Sequence, residues 1–287
     1  MDPLARARRE YAEKIRALAG VRTEALARAF AAVPREEFVG PGPWQILRLP
    51  EITRYETTPD DDPRHLYENV LVALDASRNL NNGEPATLAR WLDALDLAPG
   101  ERFLHIGCGV GYYTAIAAEC VGERGAVVAV EVDPGLAERA QRLLARWPRV
   151  RVIAGDGGPE GADFQAILVN AGATELLPGW LDALGRNGRL LVPLTVDLPI
   201  AEVGAGHMLR VVRCADGYRA RFVSPVGIFH CAGARTGAGS ERLRRAYAHG
   251  DVREVASLRR DAHPADEQCW LHAQEFCLSR LAVEGDE

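Results

Sequence analysis

Three glycines at alternate positions, Gly107, Gly109 and Gly111, follow a short apolar segment and precede an alanine-rich one. In the dinucleotide fingerprint G-x-G-x-x-G the third glycine comes one residue later, and the pyrophosphate lies at a helix N-terminus. An adenosyl group joined to a methionyl sulfonium has no phosphate, and it needs a close approach to backbone that carries no Cβ. The spacing therefore favours S-adenosylmethionine over NAD as the ligand of this turn.

Two carboxylates downstream of the glycines stand at positions suited to a nucleoside. Glu131 ends a predicted strand 20 residues beyond Gly111, where an acidic residue can accept hydrogen bonds from both ribose hydroxyls. Asp156, in Gly155-Asp156-Gly157, follows the next predicted strand and can accept a hydrogen bond from the adenine amino group. The competing interpretations are a helix-capping or solvated carboxylate for Glu131 and a turn-forming Asp for Asp156.

Predicted strands alternate with predicted helices around these residues. The predicted strands are 103–106, 126–130, 150–154, 164–169 and 189–193, and the predicted helices are 112–121, 134–145 and 180–184. This alternation predicts an α/β fold with a doubly wound parallel sheet. Right-handed crossovers bring the carboxyl ends of the strands to one edge, where ligands bind, and Asn170 falls at that edge.

The flanking segments have patterns of their own. On the N-terminal side we predict two helices in 1–32, an irregular surface segment at 40–66, a strand at 67–74 and a helix at 85–95. On the C-terminal side we predict strands at 207–214 and 218–223, helical periodicity at 239–260 and a last strand at 269–278. Asp216-Gly217 between the first two of these strands is a hairpin signal.

Composition places the 287-residue chain among soluble globular proteins, with 47% hydrophobic and 26% charged residues. The net charge of −6 disfavours binding to nucleic acid, which needs clustered basic residues. We expect no membrane association and a cytoplasmic location, because there is no 18-residue apolar run and no signal-peptide pattern. The six cysteines include no CxxC pair, so we expect reduced, mostly buried thiols and no metal site. The oligomeric state is left open.

Several segments between about residues 33 and 194 resemble the protein-L-isoaspartate O-methyltransferase family of class I methyltransferases. The matching segments are VPREEFV, HIGCGVGYYTAIAAECVG, VVAVEVDPGLAERAQRLL, VIAGDG, FQAILVNAGA and GRLLVPL. The resemblance implies a Rossmann-like sheet of seven strands, closed by a strand in DGYRARFVSPV. It also implies S-adenosylmethionine as the methyl donor and a carboxylate as the acceptor.

We accordingly divide the chain into three parts. These are an N-terminal substrate-side segment at 1–66, a methyltransferase domain at 67–225 and a C-terminal α/β extension at 226–287. The match to the family's motifs implies cofactor contacts around the glycine turn and at the ends of the strands. The residues concerned are His105, Gly107, Cys108, Gly109, Gly111, Tyr112, Glu131, Val132, Asp156, Gly157 and Asn170.

The loop before the first core helix differs from the family's Thr-x-Ser-x-Pro pattern and reads Asn81-Asn82-Gly83-Glu84-Pro85. A carboxylate with a pKa of roughly 4 is already ionised at neutral pH, so methyl transfer to it needs alignment and no general base. We expect Asn81 and Asn82 to act in catalysis by donating amide hydrogen bonds to an acceptor carboxylate or a peptide backbone. The competing interpretation is a simple Asn-Gly turn.

Three functions follow from these patterns. The first is an S-adenosylmethionine-dependent O-methyltransferase that acts on a carboxylate of a protein or peptide. The second keeps this fold and cofactor but has a small molecule or a modified peptide as acceptor. The third is a catalytically silent cofactor-binding module. Its signs are His105, at a position where the resembled family usually has an acidic residue, and Gly83, where that family has Ser. The complete set of glycines and acids favours an active enzyme.

Overall fold

The computed structural model describes residues 3–51, 54–156, 163–199 and 203–283. The chain forms two compact units of mixed α and β structure. The first comprises 1–101, 108–129 and 133–154, and the second comprises 102–107, 130–132 and 155–287. None of the helices in the described ranges is long and apolar enough to cross a membrane.

The first unit holds the N-terminal helices and the helices that follow the glycine turn. Its helices are α1 (Pro3–Ala19), α2 (Glu24–Ala32), α3 (Glu36–Val39), α4 (Pro85–Leu95), α5 (Tyr112–Val121) and α6 (Pro134–Leu144). Its strands are β1 (Gln45–Leu47), β2 (Glu56–Thr57), β3 (Leu71–Asp75), β4 (Leu80–Asn81), most of β6 (Ala126–Glu131) and β7 (Val150–Ala154). The first four strands form a small sheet in the order β2-β1-β3-β4.

Two helices of this unit begin where the sequence predicts because their caps are encoded locally. Pro85 is the first residue of α4, and the preceding Glu84 accepts a hydrogen bond from the Thr87 amide (3.1 Å). Asp133 precedes Pro134 in the same way and accepts from the first-turn amides of α6 at 2.9 and 3.0 Å. A side-chain acceptor before a proline satisfies the free amides of the first turn and fixes the start of the helix.

The prediction of an irregular surface segment at 40–66 is wrong. Strands β1 and β2 lie within it, and Trp44, Ile46 and Leu66 are buried in a cluster with Val70 and Val72. The apolar residues of this segment occur in short groups, such as Trp44 with Ile46–Leu47, between prolines and aspartates, and these groups are too short to establish a period of 2 or 3.6. Their burial depends on β3, which is distant in sequence.

The second unit contains most of a ten-stranded sheet. Its strands are β5 (Arg102–Ile106), β8 (Phe164–Val169), β9 (Leu184–Asp197), β10 (Val203–Arg213), β11 (Tyr218–Phe229), β12 (Ser257–Arg259), β13 (Cys269–His272) and β14 (Cys277–Ser279), with the end of β6. Its helices are α7 (Pro178–Asp182) and α8 (Gly237–His249). The sheet has the order β13-β14-β12-β11-β10-β9-β8-β5-β6-β7. The α/β class is confirmed, and β5, β8 and β9 pair in parallel as predicted.

The sheet has three more strands than the seven that the resemblance implies, and β11 does not close it. Strand β12 pairs with β11 through Tyr218 opposite Leu258 and Arg219 opposite Ser257. The helical prediction at 239–260 is therefore wrong beyond α8. The single strand predicted at 269–278 is a hairpin, whose turn is closed by the Ala273 amide donating to the Phe276 carbonyl (2.9 Å). That turn lacks Gly, Pro, Asn and Asp, so the sequence carries no signal for it.

Candidate active site

The carboxyl ends of β5, β6 and β8 meet at one edge of the second unit. The Gly107 amide donates to the Val130 carbonyl, and the Asn170 amide donates to the Ile106 carbonyl, both at 2.8 Å. These bonds bring together the first residues after two strands that are far apart in sequence. This is the edge at which parallel α/β sheets bind ligands.

Gly107 has to be glycine for two reasons. Its φ of +74° lies in the left-handed region, and a Cβ would come within 3.2 Å of the Asn170 carbonyl oxygen. The Asn170 side chain also donates from Nδ2 to the Gly107 carbonyl (3.3 Å). Gly107 and Asn170 therefore form a tight contact at the strand ends.

Gly109 and Gly111 continue the turn in the first unit, and their surroundings differ. Both have positive φ values, +57° and +92°. A Cβ on Gly111 would lie 2.6 Å from Leu144 Cδ1, so this glycine allows α6 to pack against the turn. A Cβ on Gly109 would have no atom of the described residues within 4 Å. Of the three glycines of the turn, Gly109 is therefore the one whose backbone borders open space among the described residues.

At the end of β6, a buried carboxylate is followed directly by an exposed apolar side chain. Glu131 is buried, and the next residue, Val132, is 52% exposed. The Glu131 carbonyl accepts a hydrogen bond from the Gly155 amide (2.9 Å). This bond holds the next residue, the exposed Asp156, near the end of β6. The pair offers an acceptor for sugar hydroxyls beside an apolar side chain that can pack on a base. Gly157 lies outside the described residues.

His105 lies on β5 with its side chain buried, and its ring is 5.8 Å from that of Phe103. Burial lowers the pKa of His105 to about 3, because the charged imidazolium cannot be solvated there. The ring is therefore neutral at physiological pH.

Tyr112 and Cys108 are buried on either side of the turn's last glycines. The Tyr112 ring packs against Phe38 (5.5 Å) and Tyr113 (4.9 Å), so its side chain belongs to an aromatic cluster of the first unit. What Tyr112 can offer a ligand is its backbone amide in the first turn of α5, where amides lack intrahelical acceptors. The Cys108 thiol donates to the carbonyl of Gly109 (3.5 Å).

The loop that precedes α4 is held by hydrogen bonds of its own. Asn81 Oδ1 accepts from the Gly83 amide (3.0 Å), while its Nδ2 donates to the Asn79 carbonyl (3.3 Å). The Gly83 carbonyl accepts from the Tyr113 hydroxyl (3.1 Å). Gly83 has a φ of +79°, a conformation that strains any residue with a side chain. The Asn-Gly turn is therefore present, and it leaves the half-buried Asn81 at the loop surface.

Asn82 is buried and is held through a residue that sequence analysis missed. Its Oδ1 accepts from the Val72 amide (3.1 Å) and from Arg35 Nη2 (3.3 Å). Arg35, which is fully buried, also donates to the carbonyls of Leu66 (2.7 Å) and Val70 (2.6 Å). The signal was an arginine inside the matching VPREEFV segment, between apolar residues, where a buried charge has to be satisfied by hydrogen-bond acceptors.

The C-terminal extension contacts the backbone just beyond Asn170. The Gly172 amide donates to the Phe229 carbonyl (2.6 Å), and its own carbonyl accepts from the Cys231 amide (2.9 Å) and from Arg235 (2.7 Å). Burial raises the pKa of the Cys231 thiol to about 11, so it is protonated and not a nucleophile at neutral pH. Sequence analysis gave no indication that this segment reaches the strand ends.

Together, the parallel strand ends and the three-glycine turn define a class I, S-adenosylmethionine-dependent methyltransferase. Residues 7–217 match the family model for protein-L-isoaspartate(D-aspartate) O-methyltransferase, and the chain belongs to this family. The predictions of the family, of the cofactor and of a methyltransferase are thereby confirmed.

Individual relatives agree with this result. A protein-L-isoaspartate O-methyltransferase of Hyperthermus butylicus is 31% identical over 225 residues, which cover 74% of this chain and 82% of the relative. The enzyme of that name from Anaeromyxobacter dehalogenans strain 2CP-1 is 40% identical over 141 residues, 47% of this chain and 63% of the relative. A solved structure named protein-L-isoaspartate O-methyltransferase is 25% identical, has a TM-score of 0.60, and is matched over 83% of this chain and 69% of its own.

Proposed function

We propose that this enzyme transfers a methyl group from S-adenosylmethionine to the free α-carboxylate of an L-isoaspartyl residue in a protein or peptide. The observation that carries the proposal is the match of residues 7–217 to a family named for that acceptor. The Asn81-Asn82-Gly83 loop in place of the family's Thr-x-Ser pattern is the feature that bears on the choice of acceptor.

The residues at the strand ends fit the cofactor. The backbone at Gly109 borders space that a Cβ would enter, and we assign it to the adenosyl sulfonium. We assign Glu131 to the ribose hydroxyls, Val132 to the adenine face, and Asp156 with Gly157 to the adenine edge. In the same way, backbone and side-chain groups of His105, Gly107, Cys108, Gly111, Tyr112 and Asn170 shape the cofactor pocket. When bound, the cofactor supplies an electrophilic methyl group.

On the acceptor side, the chain has to position an oxygen atom that is already a nucleophile. The acceptor carboxylate is ionised at neutral pH, so the reaction needs no proton transfer to a side chain. We assign Asn81 Nδ2 to the acceptor, since an amide N–H can bind one carboxylate oxygen and leave the other for attack. The carboxylate would replace one of the two long hydrogen bonds that Nδ2 donates, to the Asn79 carbonyl (3.3 Å) and to the Tyr55 hydroxyl (3.5 Å). Asn82 is buried, so we assign it a positioning role that it shares with Arg35.

The neutral state of His105 matters to this chemistry. A cation at this position of the strand would oppose the binding of a positively charged sulfonium. Burial keeps the ring uncharged, so the departure from an acidic residue does not reverse the local charge. The free cysteines also fit a reducing compartment, and we propose a cytoplasmic location.

The test uses two synthetic peptides that differ only by an isoaspartyl or an aspartyl residue at one position. With methyl-labelled S-adenosylmethionine and the full chain, we expect base-labile label on the isoaspartyl peptide alone. A Glu131→Gln variant should bind the cofactor more weakly, while Glu138→Gln, on the exposed side of α6, serves as the matched control. Cofactor binding with no label on either peptide would show that the acceptor is a different one.

A further inference from the structure

Two histidines and two cysteines of the C-terminal extension lie together in the second unit. Each of His263, Cys269, His272 and Cys277 offers one ligand atom, and these four atoms all lie within 4.8 Å of one another. Cys269 Sγ is 3.6 Å from His263 Nε2 and 3.9 Å from His272 Nδ1. We propose that this cluster binds a zinc ion that stabilises the C-terminal end of the sheet. The proposal departs from the sequence prediction of no metal site, which was based on the absence of CxxC.

The hairpin of β13 and β14 explains how the side chains converge. His272 and Cys277 stand opposite each other in the antiparallel pair. On a regular strand Cys269 and His272, three residues apart, would point to opposite faces. A register shift between Cys269 and Leu271 breaks this alternation, as a β-bulge does, and brings both ligand atoms to one side. His263 joins them from the loop before β13.

The orientation of His263 is that of a metal ligand. Its Nδ1–H donates to the Asp261 carbonyl (2.9 Å), and the Asp261 carboxylate lies 3.4 Å from the same nitrogen. Metal-ligating histidines usually donate the second ring N–H to a carbonyl or a carboxylate, which fixes the tautomer. Nε2 is thereby left as a lone-pair donor on the side of Cys269. Arg259 donates to Asp261 (3.0 Å) and holds this partner in place.

The ligand set selects zinc among the common metals. Zinc bonds of about 2.3 Å to sulfur and 2.0 Å to nitrogen, in a tetrahedron, place ligand atoms roughly 3.3–3.8 Å apart. The two measured separations lie close to that range. Two thiolates neutralise the charge of Zn²⁺, and the Asp266 carboxylate, 3.4 Å from Cys269 Sγ, further favours a cation. Four protein ligands leave no open position, which is the arrangement of a structural site.

The position in the sheet indicates what the ion stabilises. Cys277 begins β14, which pairs with β12 through Arg259 opposite Cys277 and Leu258 opposite Leu278. Strand β12 in turn pairs with β11. A bound ion therefore joins the loop at His263 to both strands of the terminal hairpin. Its removal should loosen this edge of the sheet first.

The test measures metal in the full-length chain, purified without chelators, by mass spectrometry of the elements. We expect one zinc per chain, and its loss in Cys269→Ser and in Cys277→Ser. Cys214→Ser, a half-buried cysteine outside the cluster, is the matched control and should keep the zinc. Asp261→Asn leaves the four ligands intact and should weaken zinc binding about 10-fold to 100-fold. Circular dichroism checks that each variant is folded.

A second readout does not depend on the variants' stability. Cobalt(II) added to the zinc-free wild-type chain should give visible bands of a tetrahedral site and a near-ultraviolet band from thiolate ligands. Zinc should raise the melting temperature of the same chain. Three results would overturn the proposal: less than stoichiometric metal with no cobalt spectrum, zinc retained by both serine variants, or a Cys269–Cys277 disulfide in the freshly purified protein.

Discussion

Alanine at Gly109 and alanine at Gly122 form a matched pair of perturbations. Both glycines have left-handed φ values, +57° and +66°, and at neither would a Cβ meet an atom of the described residues within 4 Å. The direct cost to folding is therefore backbone strain alone: about 1–2 kcal/mol for a left-handed residue, and at least that at Gly122, whose ψ of −173° lies in a region that essentially only glycine occupies. The difference is location, since Gly122 ends α5 whereas Gly109 borders the space assigned to S-adenosylmethionine.

The expected effects on binding separate the two. We predict that Gly122→Ala binds S-adenosylmethionine like the wild type, while Gly109→Ala binds at least ~10-fold more weakly, a loss of about 1.4 kcal/mol. Isothermal titration calorimetry gives the dissociation constants. Thermal unfolding of the free proteins should show a decrease in Tm for both variants, because alanine is strained at both positions, so the decrease in Tm does not predict which variant loses cofactor affinity.

Gly111→Ala completes the series with a different expected result. Its Cβ would come 2.6 Å from Leu144 Cδ1, so overpacking of about 1–3 kcal/mol adds to the backbone strain. Its Tm should be lower than that of Gly109→Ala, whose Cβ meets no described atom within 4 Å. Equal cofactor affinities for Gly109→Ala and Gly122→Ala would refute the assignment of Gly109 as the surface against which the cofactor lies.

Three further predictions concern residues around the site. Arg35→Met leaves buried carbonyls without their hydrogen-bond donor, so we expect the free energy of unfolding to fall by about 3–5 kcal/mol. Urea denaturation measures it, and a loss below about 1 kcal/mol would contradict the role given to Arg35. Burial lowers the pKa of His105 to about 3, so between about pH 6.5 and 3 the unfolded chain binds a proton that the folded chain does not. Stability should therefore fall as the pH drops through this range, by up to about 1.4 kcal/mol per pH unit, and His105→Gln should remove that part of the slope. Asn81→Ala should raise the KM for an isoaspartyl peptide about fivefold, the equivalent of about 1 kcal/mol, with no change in the affinity for S-adenosylmethionine. An unchanged KM would show that Asn81 does not contact the acceptor.

The parts of the fold that sequence predicts well are those with local signals. Helices α4 and α6 begin at prolines preceded by capping acids, and β7 and β8 are short apolar runs bounded by polar residues. In each case the information lies within a few residues of the boundary. The glycine turn belongs to the same group, because positive φ at three alternate positions requires glycine whatever surrounds it.

The parts that the sequence did not predict depend on distant partners. Trp44 and Ile46 are buried against residues of β3, and nothing in their own segment signals it. The terminal hairpin turns at Gln274 and Glu275, which are not turn-forming residues, so the pairing of β13 with β14 has to fix the turn. The burial of Arg35 could not be predicted for the same reason, because its hydrogen-bond acceptors are carbonyls more than 30 residues away in the sequence.

For the site residues, the sequence predicted where the glycines of the turn lie but not what each of them contributes. It placed Gly107, Gly109 and Gly111 in one motif, whereas the structure separates a contact with Asn170, a surface open to a ligand, and a packing contact with α6. Such distinctions require knowing what each missing Cβ would meet. Motif spacing does not contain that information.

We claim that bare backbone at Gly109 and the carboxylate of Glu131 hold S-adenosylmethionine. A crystal structure of the full chain with S-adenosylhomocysteine is the decisive experiment. We predict that both ribose hydroxyls lie within hydrogen-bond distance of the Glu131 carboxylate and that the ligand passes within 4 Å of Gly109. A ligand bound elsewhere, or a Glu131 carboxylate turned away from the ribose, would contradict the claim.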